Sequence, residues 1–415
     1  MKRPPRLLSV SGTVVAPPSA PLTSAAILLA ATVPGTVTLR RLLDFDESRY
    51  LLDLLRKVGF EIEGSLAQGL EVGDRVSMSA NEVEIDVGSA LGLFQLLTTV
   101  LSFTPGRFLL RTSVVDPTID RRVEALRDLG AEIEVPVPAG GSRLTIRGKM
   151  SRGGFVMEVS TPAHAELVSS LLLVARNIRN GFSIHASDGE SYSALRPHLD
   201  LFQRFGGSVL RQDDQMKKID ADGFDAAEVR VPEDEFAISH WLVASAAIGG
   251  EITVSGLRSE NQTEWPILDV LRKQGCSMEV NGDEILMRAS GMNGGDMDLR
   301  EFRELVPLLA SVAPAAKHQV RLTLPSGFDE KLVTKHLSLL GAETRLEENR
   351  IIVSRGWKSD PVSIEATDPR LVMSSAVAAL CRGGVTIQRD QSVTPIYPRF
   401  WRTMDEIINS SEAAR

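Results

Sequence analysis

The sequence is short of cysteine, histidine, aromatic residues and clustered positive charge, and each shortage argues against a class of function. Two cysteines in 415 residues, Cys276 and Cys381, cannot build a disulfide framework and read as small buried apolar side chains. Six histidines (His164, His185, His198, His240, His318 and His336) form no HxH or HxxxH pair and have no cysteine beside them, which argues against a dedicated zinc site. Aromatics make up 5% of the chain, so leucine, valine, isoleucine and alanine must fill the core. The formal net charge is −8 and no run of lysine or arginine occurs, whereas a non-specific nucleic-acid or anionic-membrane binder needs a basic face. The longest apolar helix candidate, Ala25–Val33, is far short of a membrane span. Met1-Lys2-Arg3 is basic, but Ser9, Ser11, Gly12 and Thr13 interrupt the apolar stretch that follows. Residues 7–16 therefore read as an edge strand rather than a signal peptide, and the cytoplasm is the expected compartment. The phosphate-cradling patterns GxxxxGKS/T and GxGxxG are absent, and no cofactor is implied.

What the chain does have is a repeat. A length of 415 residues is too much for one core and suggests two domains of about 200 residues each. A helix ending in glycine, followed by a short alternating strand, recurs at Gly59, Gly130, Gly206, Gly275 and Gly341, at spacings of 71, 76, 69 and 66 residues. The stretches are LLDLLRKVGFEIE, VEALRDLGAEIEV, LDLFQRFGGSVL, LDVLRKQGCSMEV and LSLLGAETRL. Apolar residues at i, i+3, i+4 and i+7 make each helix amphipathic, and the glycine suits the left-handed position that closes it. Before each such helix lies a more uniformly apolar one, in six occurrences from SAPLTSAAILLA to DPRLVMSSAVAALC. A helix apolar all round is buried on all sides. The pattern predicts six βαβαββ-like units, each with an inner and an outer helix, three to a domain. The break is expected after Arg230, with Val231 opening the fourth unit.

Six such units in two lobes resemble the inverse α/β barrels of the EPSP synthase family of enolpyruvyl transferases, over about residues 8–405. The resemblance implies an α/β fold of two inverse α/β barrel-like domains, each of three βαβαββ units. It also implies that the first strand crosses into the C-terminal lobe, so that the lobes run 16–231 and 1–15 with 232–415. Local stretches carry it as well. Ala26 to Ala31 look like the helix after the family's PGSKSxSNR stretch, and Val87-Gly88-Ser89-Ala90 lies where the family has LGNAGT. Ser169-Ser170-Leu171-Leu172-Leu173 is similar to the helix after its SSQ motif, and Asp234 with the Ala-rich helix after it to DxSSAxxF. Asp368-Pro369-Arg370 stands in place of DHRxAM, and Tyr397-Pro398 with Phe400 in place of KTFPxF.

The family joins phosphoenolpyruvate to a phosphorylated hydroxy acid in a cleft between its lobes, and holding that many negative charges takes arginine and lysine as well as helix N-termini. Most of those cations are missing here. The motif lysine falls at Ala20 and its arginine at Ala25; the arginine closing the LGNAGT helix is Gln95, and the final-motif lysine falls at Pro395. The RP pair looks like Asp116-Pro117 or Pro117-Thr118, and the substrate-binding glutamine becomes Glu166. What survives by resemblance is Glu304, where the catalytic Asp lies, and Arg370, which matches a phosphoenolpyruvate-binding arginine. Candidate substrate contacts are Ser19, Ser24, Ser89, His164, Glu166, Asp234 and Arg370. The three serines also read as plain N-caps, Glu304 as a helix-start acid, and Arg370 as a partner of Asp368 or Asp390. His164 beside Glu166 suggests either an acid–base pair or a satisfied polar helix start. The expectation is a divergent member, inactive in the family reaction, that binds or converts a less anionic ligand in the cleft. An active transferase with relocated anion contacts and a non-catalytic interaction protein are the alternatives. A monomer with a small-molecule ligand, and no nucleic-acid or membrane partner, is expected.

Overall fold

The computed structural model describes residues 1–75, 82–136, 141–149, 153–186, 189–212, 215–257, 265–394 and 396–414. The chain divides into two compact units: a central one, Pro18–Pro232, and a terminal one formed by Met1–Pro17 with Glu233–Arg415.

The central unit holds three four-stranded mixed sheets. In the second of them β5 (Val83–Asp86) runs into α3 (Leu91–Ser102), then β6 (Gly106–Thr112), α4 (Ile119–Asp128), β7 (Glu132–Glu134) and β8 (Ser142–Gly148). Their spatial order is β5-β6-β8-β7, with β5 parallel to β6 and the other neighbours antiparallel. The third sheet repeats this with β9 (Val156–Val159), α5 (Pro162–Leu172), β10 (Phe182–Ala186), α6 (Gly189–Arg204), β11 (Ser208–Arg211) and β12 (Met216–Asp220). The first contains α1 (Ala20–Ala30), β2 (Val37–Arg40), α2 (Asp46–Lys57), β3 (Phe60–Ser65) and β4 (Gly69–Arg75). Its parallel edge strand is β13 (Glu228–Arg230), paired with β2.

Arg230 was expected to end the third repeat, and it ends the first sheet instead. The chain's opening strand, β1 (Val10–Val15), is committed to the terminal unit, where it pairs in parallel with β14 (Gly250–Ser255). The first sheet therefore takes its parallel edge from the other end of the central segment. Within the central unit Ser19 N donates to Pro232 O at 3.0 Å, and within the terminal unit Asp234 N donates to Pro17 O at 2.9 Å.

In the terminal unit β1, α7 (Glu235–Ile248), β14, α8 (Pro266–Lys273), β15 (Ser277–Asn281) and β16 (Glu284–Ala289) form the fourth repeat. The fifth comprises β17 (Gly295–Asp298), α9 (Val306–Val312), β18 (Val320–Thr323), α10 (Glu330–Leu339), β19 (Ala342–Glu347) and β20 (Arg350–Trp357). Among the described residues the sixth has no hairpin. Strands β21 (Val362–Ile364) and β22 (Val385–Ile387) flank α11 (Pro369–Arg382), and α12 (Phe400–Ala413) closes the chain.

The sequence pattern explains this layering. Helices α7, α9 and α11 are buried along nearly their whole length and pack on one another, whereas α2 and α8 bury a leucine-rich face only. The glycines that end the outer helices all take φ between 81° and 98°, a region where a side chain would be strained. Each unit has its own continuous apolar core. Among the described residues no helix is long and apolar enough to cross a membrane, and no cluster of metal-ligating side chains occurs.

Candidate functional site

In the central unit α1 begins at Ser19, whose extended backbone (φ −69°, ψ 130°) makes it the N-cap. Its hydroxyl makes no capping bond, and its carbonyl accepts from Thr23 Oγ1 at 2.8 Å. Ser24 and Ser89 are not caps. Pro21 places the start of α1 just before it, so Ser24 falls inside the helix, 1% exposed. The N-cap of α3 is Ala90, with Ser89 exposed one position earlier. The Ser24 hydroxyl has no partner of hydrogen-bond geometry, yet it lies close enough to the Glu47 carboxyl to oppose the upward pKa shift that burial imposes on that acid. Ala20 and Ala25 are 4% and 2% exposed, so this part of α1 presents methyl groups to a packed interior.

A second cluster forms where α3, α4 and α5 converge. Asp116, 2% exposed, is well satisfied: its carboxylate accepts from Thr118 N and Thr118 Oγ1, both at 2.8 Å, and from Gln95 Nε2 at 3.1 Å. Gln95 is thus an anchor for a buried acid. Beside them stands Arg122, which the sequence reading passed over. Its side chain is 9% exposed, and its Nη2 lies 3.5 Å from Glu166 Oε2. Its Nε and Nη1 are buried without any hydrogen-bond partner. Burial pushes the guanidinium pKa down, while the carboxylates of Glu166 and Asp116 push it up. A signal was present: Arg122 follows Ile119 by three positions and precedes Leu126 by four, which puts it at the edge of the buried face of α4.

Glu166 has a side chain 65% exposed and reaches Arg122, whereas His164 Nδ1 faces Ser160 Oγ at 3.4 Å. Each has its own partner, and the two do not form an acid–base pair. The backbone N–H of His164 donates to Thr161 Oγ1, the cap of α5, at 3.3 Å, as a satisfied helix start should.

In the terminal unit Asp234 caps α7, its Oδ1 accepting from Ala237 N at 2.9 Å. Glu304 sits in a single 3-10 turn, Arg303–Leu305, just ahead of α9. Its carboxylate accepts from Nε of Arg370, the second residue of α11. Arg370 N also donates to Asp368 Oδ1 at 2.7 Å, and its guanidinium stands 4.0 Å from Asp368 Oδ2. Asp390 is engaged elsewhere, with the Met1 amino group at 2.7 Å. The acid and the arginine that the sequence singled out here therefore hold one another. Nearby, Arg300 pairs with Asp298 and Arg303 lies 5.6 Å from the ring centre of Phe328. Tyr397 serves the core: Trp241 Nε1 donates to its hydroxyl at 3.2 Å, and that hydroxyl donates to Thr403 Oγ1 at 3.3 Å. A recess of about 430 Å³ is lined by Thr367, Gln388, Arg389, Asp390, Gln391 and Ser392, none of them a candidate residue. Pro395 lies outside the described residues.

Repeated βαβαββ units in two compact bodies, one of them entered twice by the chain, define an enolpyruvyl-transferase type of α/β protein. The EPSP synthase (3-phosphoshikimate 1-carboxyvinyltransferase) family model matches residues 7–404, and the chain belongs to that family. A 3-phosphoshikimate 1-carboxyvinyltransferase of Shewanella sp. is 27% identical over 95% of this chain and 96% of its own length. That of Shewanella amazonensis is 28% identical over 94% and 95%. Among solved structures, EPSP synthase from Acinetobacter baumannii superposes with a TM-score of 0.75 at 19% identity, covering 98% of this chain and 97% of that one. The enolpyruvyl transferase NikO from Streptomyces tendae superposes with a TM-score of 0.75 at 15% identity, covering 97% and 95%. These two likenesses bear on the fold.

Proposed function

We propose that this protein is a divergent member of its family that has lost the transfer of an enolpyruvyl group to shikimate 3-phosphate and binds a less anionic small molecule through the equivalent residues. The observation that carries this reading is the state of its charges. Where the resemblance asks for cations, Ala20 and Ala25 are buried methyls and Gln95 is tied to Asp116. The arginines that stand among the candidate residues, Arg122 and Arg370, are each paired with a carboxylate of this chain, Glu166 and Glu304. A charge-assisted contact is worth about 1.5–3 kcal/mol, so the loss of several weakens the hold on two multiply charged anions by many orders of magnitude. Glu304, engaged with Arg370, is also poorly placed to move a proton.

The near-complete overlap with curated 3-phosphoshikimate 1-carboxyvinyltransferases favours a second reading, an active enzyme whose anion contacts have moved. Purified protein incubated with shikimate 3-phosphate and phosphoenolpyruvate separates the two. The proposal expects no phosphate release above background and no thermal stabilisation by either compound. Steady turnover would overturn it. A protein that responds to no small molecule at all would point instead to an interaction role.

A further inference from the structure

Arg122 poses a problem that the fold does not solve. Buried polar groups are almost always hydrogen-bonded, and an arginine retained for structure normally has its donors satisfied. Here two of the three guanidinium nitrogens have no partner, and the third has only Glu166 at 3.5 Å, slightly beyond a hydrogen bond. Its partner is of the opposite kind. Glu166 is 65% exposed, on the N-terminal half of α5, and among the described residues its carboxylate pairs with Arg122 alone. The carboxylate keeps much of its contact with water, whereas the guanidinium does not, so breaking the pair would strand a buried charge. Arg122 cannot follow Glu166 into water. Asp116 makes no hydrogen bond or ion pair with Arg122 among the described residues; its carboxylate accepts from Thr118 and Gln95 instead.

We propose that Arg122 and Glu166 form a specificity pair: the Glu166 carboxylate occupies the guanidinium edge that an anionic group of a ligand would otherwise take. This rests on the reading of the protein as a binder of less anionic molecules, and identifies the residue that enforces it in the central unit. While Glu166 is in place, a phosphate approaching Arg122 meets a like charge and is repelled. A neutral, hydroxyl-bearing ligand meets an acceptor instead. Neutralising that one side chain removes the like charge that a carboxylate or phosphate would meet beside Arg122.

The test is calorimetric titration of the folded protein with shikimate 3-phosphate and, separately, inorganic phosphate. The proteins are the unaltered chain, Glu166→Gln, Arg122→Met and the double variant. Glu166→Gln keeps an acceptor for Nη2 at the same place and removes only the charge. It should bind shikimate 3-phosphate at least about tenfold more tightly than the unaltered protein, the lower bound for one charge-assisted contact. The gain should vanish in the double variant. No gain, or an equal gain without Arg122, overturns the proposal; the second result would mean that only general repulsion had been relieved. Glu166→Ala supplies an independent variant at an exposed position should the glutamine protein be poorly behaved. Turnover by the unaltered protein would remove the reading beneath the proposal but leave this comparison intact. Unchanged affinities would sink the pair and leave that reading standing.

Discussion

If Arg122 is kept for a ligand rather than for the fold, the protein should be more stable without it. The perturbation is Arg122→Met, which retains a long side chain against Ile119 and Leu126 and removes the charge. Two buried guanidinium nitrogens without partners each forgo about 1–3 kcal/mol. The contact with Glu166 returns at most about 1 kcal/mol, because that carboxylate is 65% exposed. Attraction to Asp116 offsets a further part, but Asp116 keeps its bonds to Thr118 and Gln95 after the substitution. The balance is a stabilisation of about 1–2 kcal/mol. For a unit spanning Pro18–Pro232, each kcal/mol corresponds to a shift of about 2–4 °C in Tm. Differential scanning calorimetry of the full chain, with hydrogen exchange of the α4 amides to assign the transition, measures it. A fall in Tm of more than about 2 °C would show that Arg122 anchors the fold, and the reasoning that frees it for a ligand would fail.

Two buried histidines, His240 and His336, and the half-buried His198 have pKa values pushed down by desolvation from 6.5 to about 4. Each is neutral in the folded state and takes up a proton on unfolding below pH 6.5, so stability is complete above that value and declines as pH falls towards 4. The slope is about 1.4 kcal/mol per pH unit for each histidine well inside that window. Urea melts at pH 7, 5.5 and 4.5 should show it, and a flat profile would contradict the burial assigned to these rings. Tyr397→Phe removes the acceptor of Trp241 Nε1, 0% exposed, and should cost about 1–3 kcal/mol in denaturant melts with little change in m-value. Asp234→Ala removes the cap of α7 and should cost about 1 kcal/mol; a neutral result would mean that Asp234 is not the cap.

Much of the architecture was readable before any coordinate. The glycine-ended outer helices and the apolar inner ones came from periodicity, because a 3.6-residue pattern reports which face of a helix is buried, and burial against a sheet is a local requirement repeated six times. The family likewise rests on stretches whose spacing is visible along the chain. Other features were not readable, for a single reason: they depend on which distant segments meet. Nothing near Arg230 announces that its strand closes onto β2, since a three-residue edge strand carries no label for its partner. Ser24 looked like a cap because serine often is one, but the helix starts four residues earlier, at Ala20, with Pro21 in its first turn. Arg122 could be placed at the rim of a buried face. That its guanidinium stands beside Glu166, 44 positions away, and lacks partners for Nε and Nη1 follows from the packing of three helices, which no local pattern encodes.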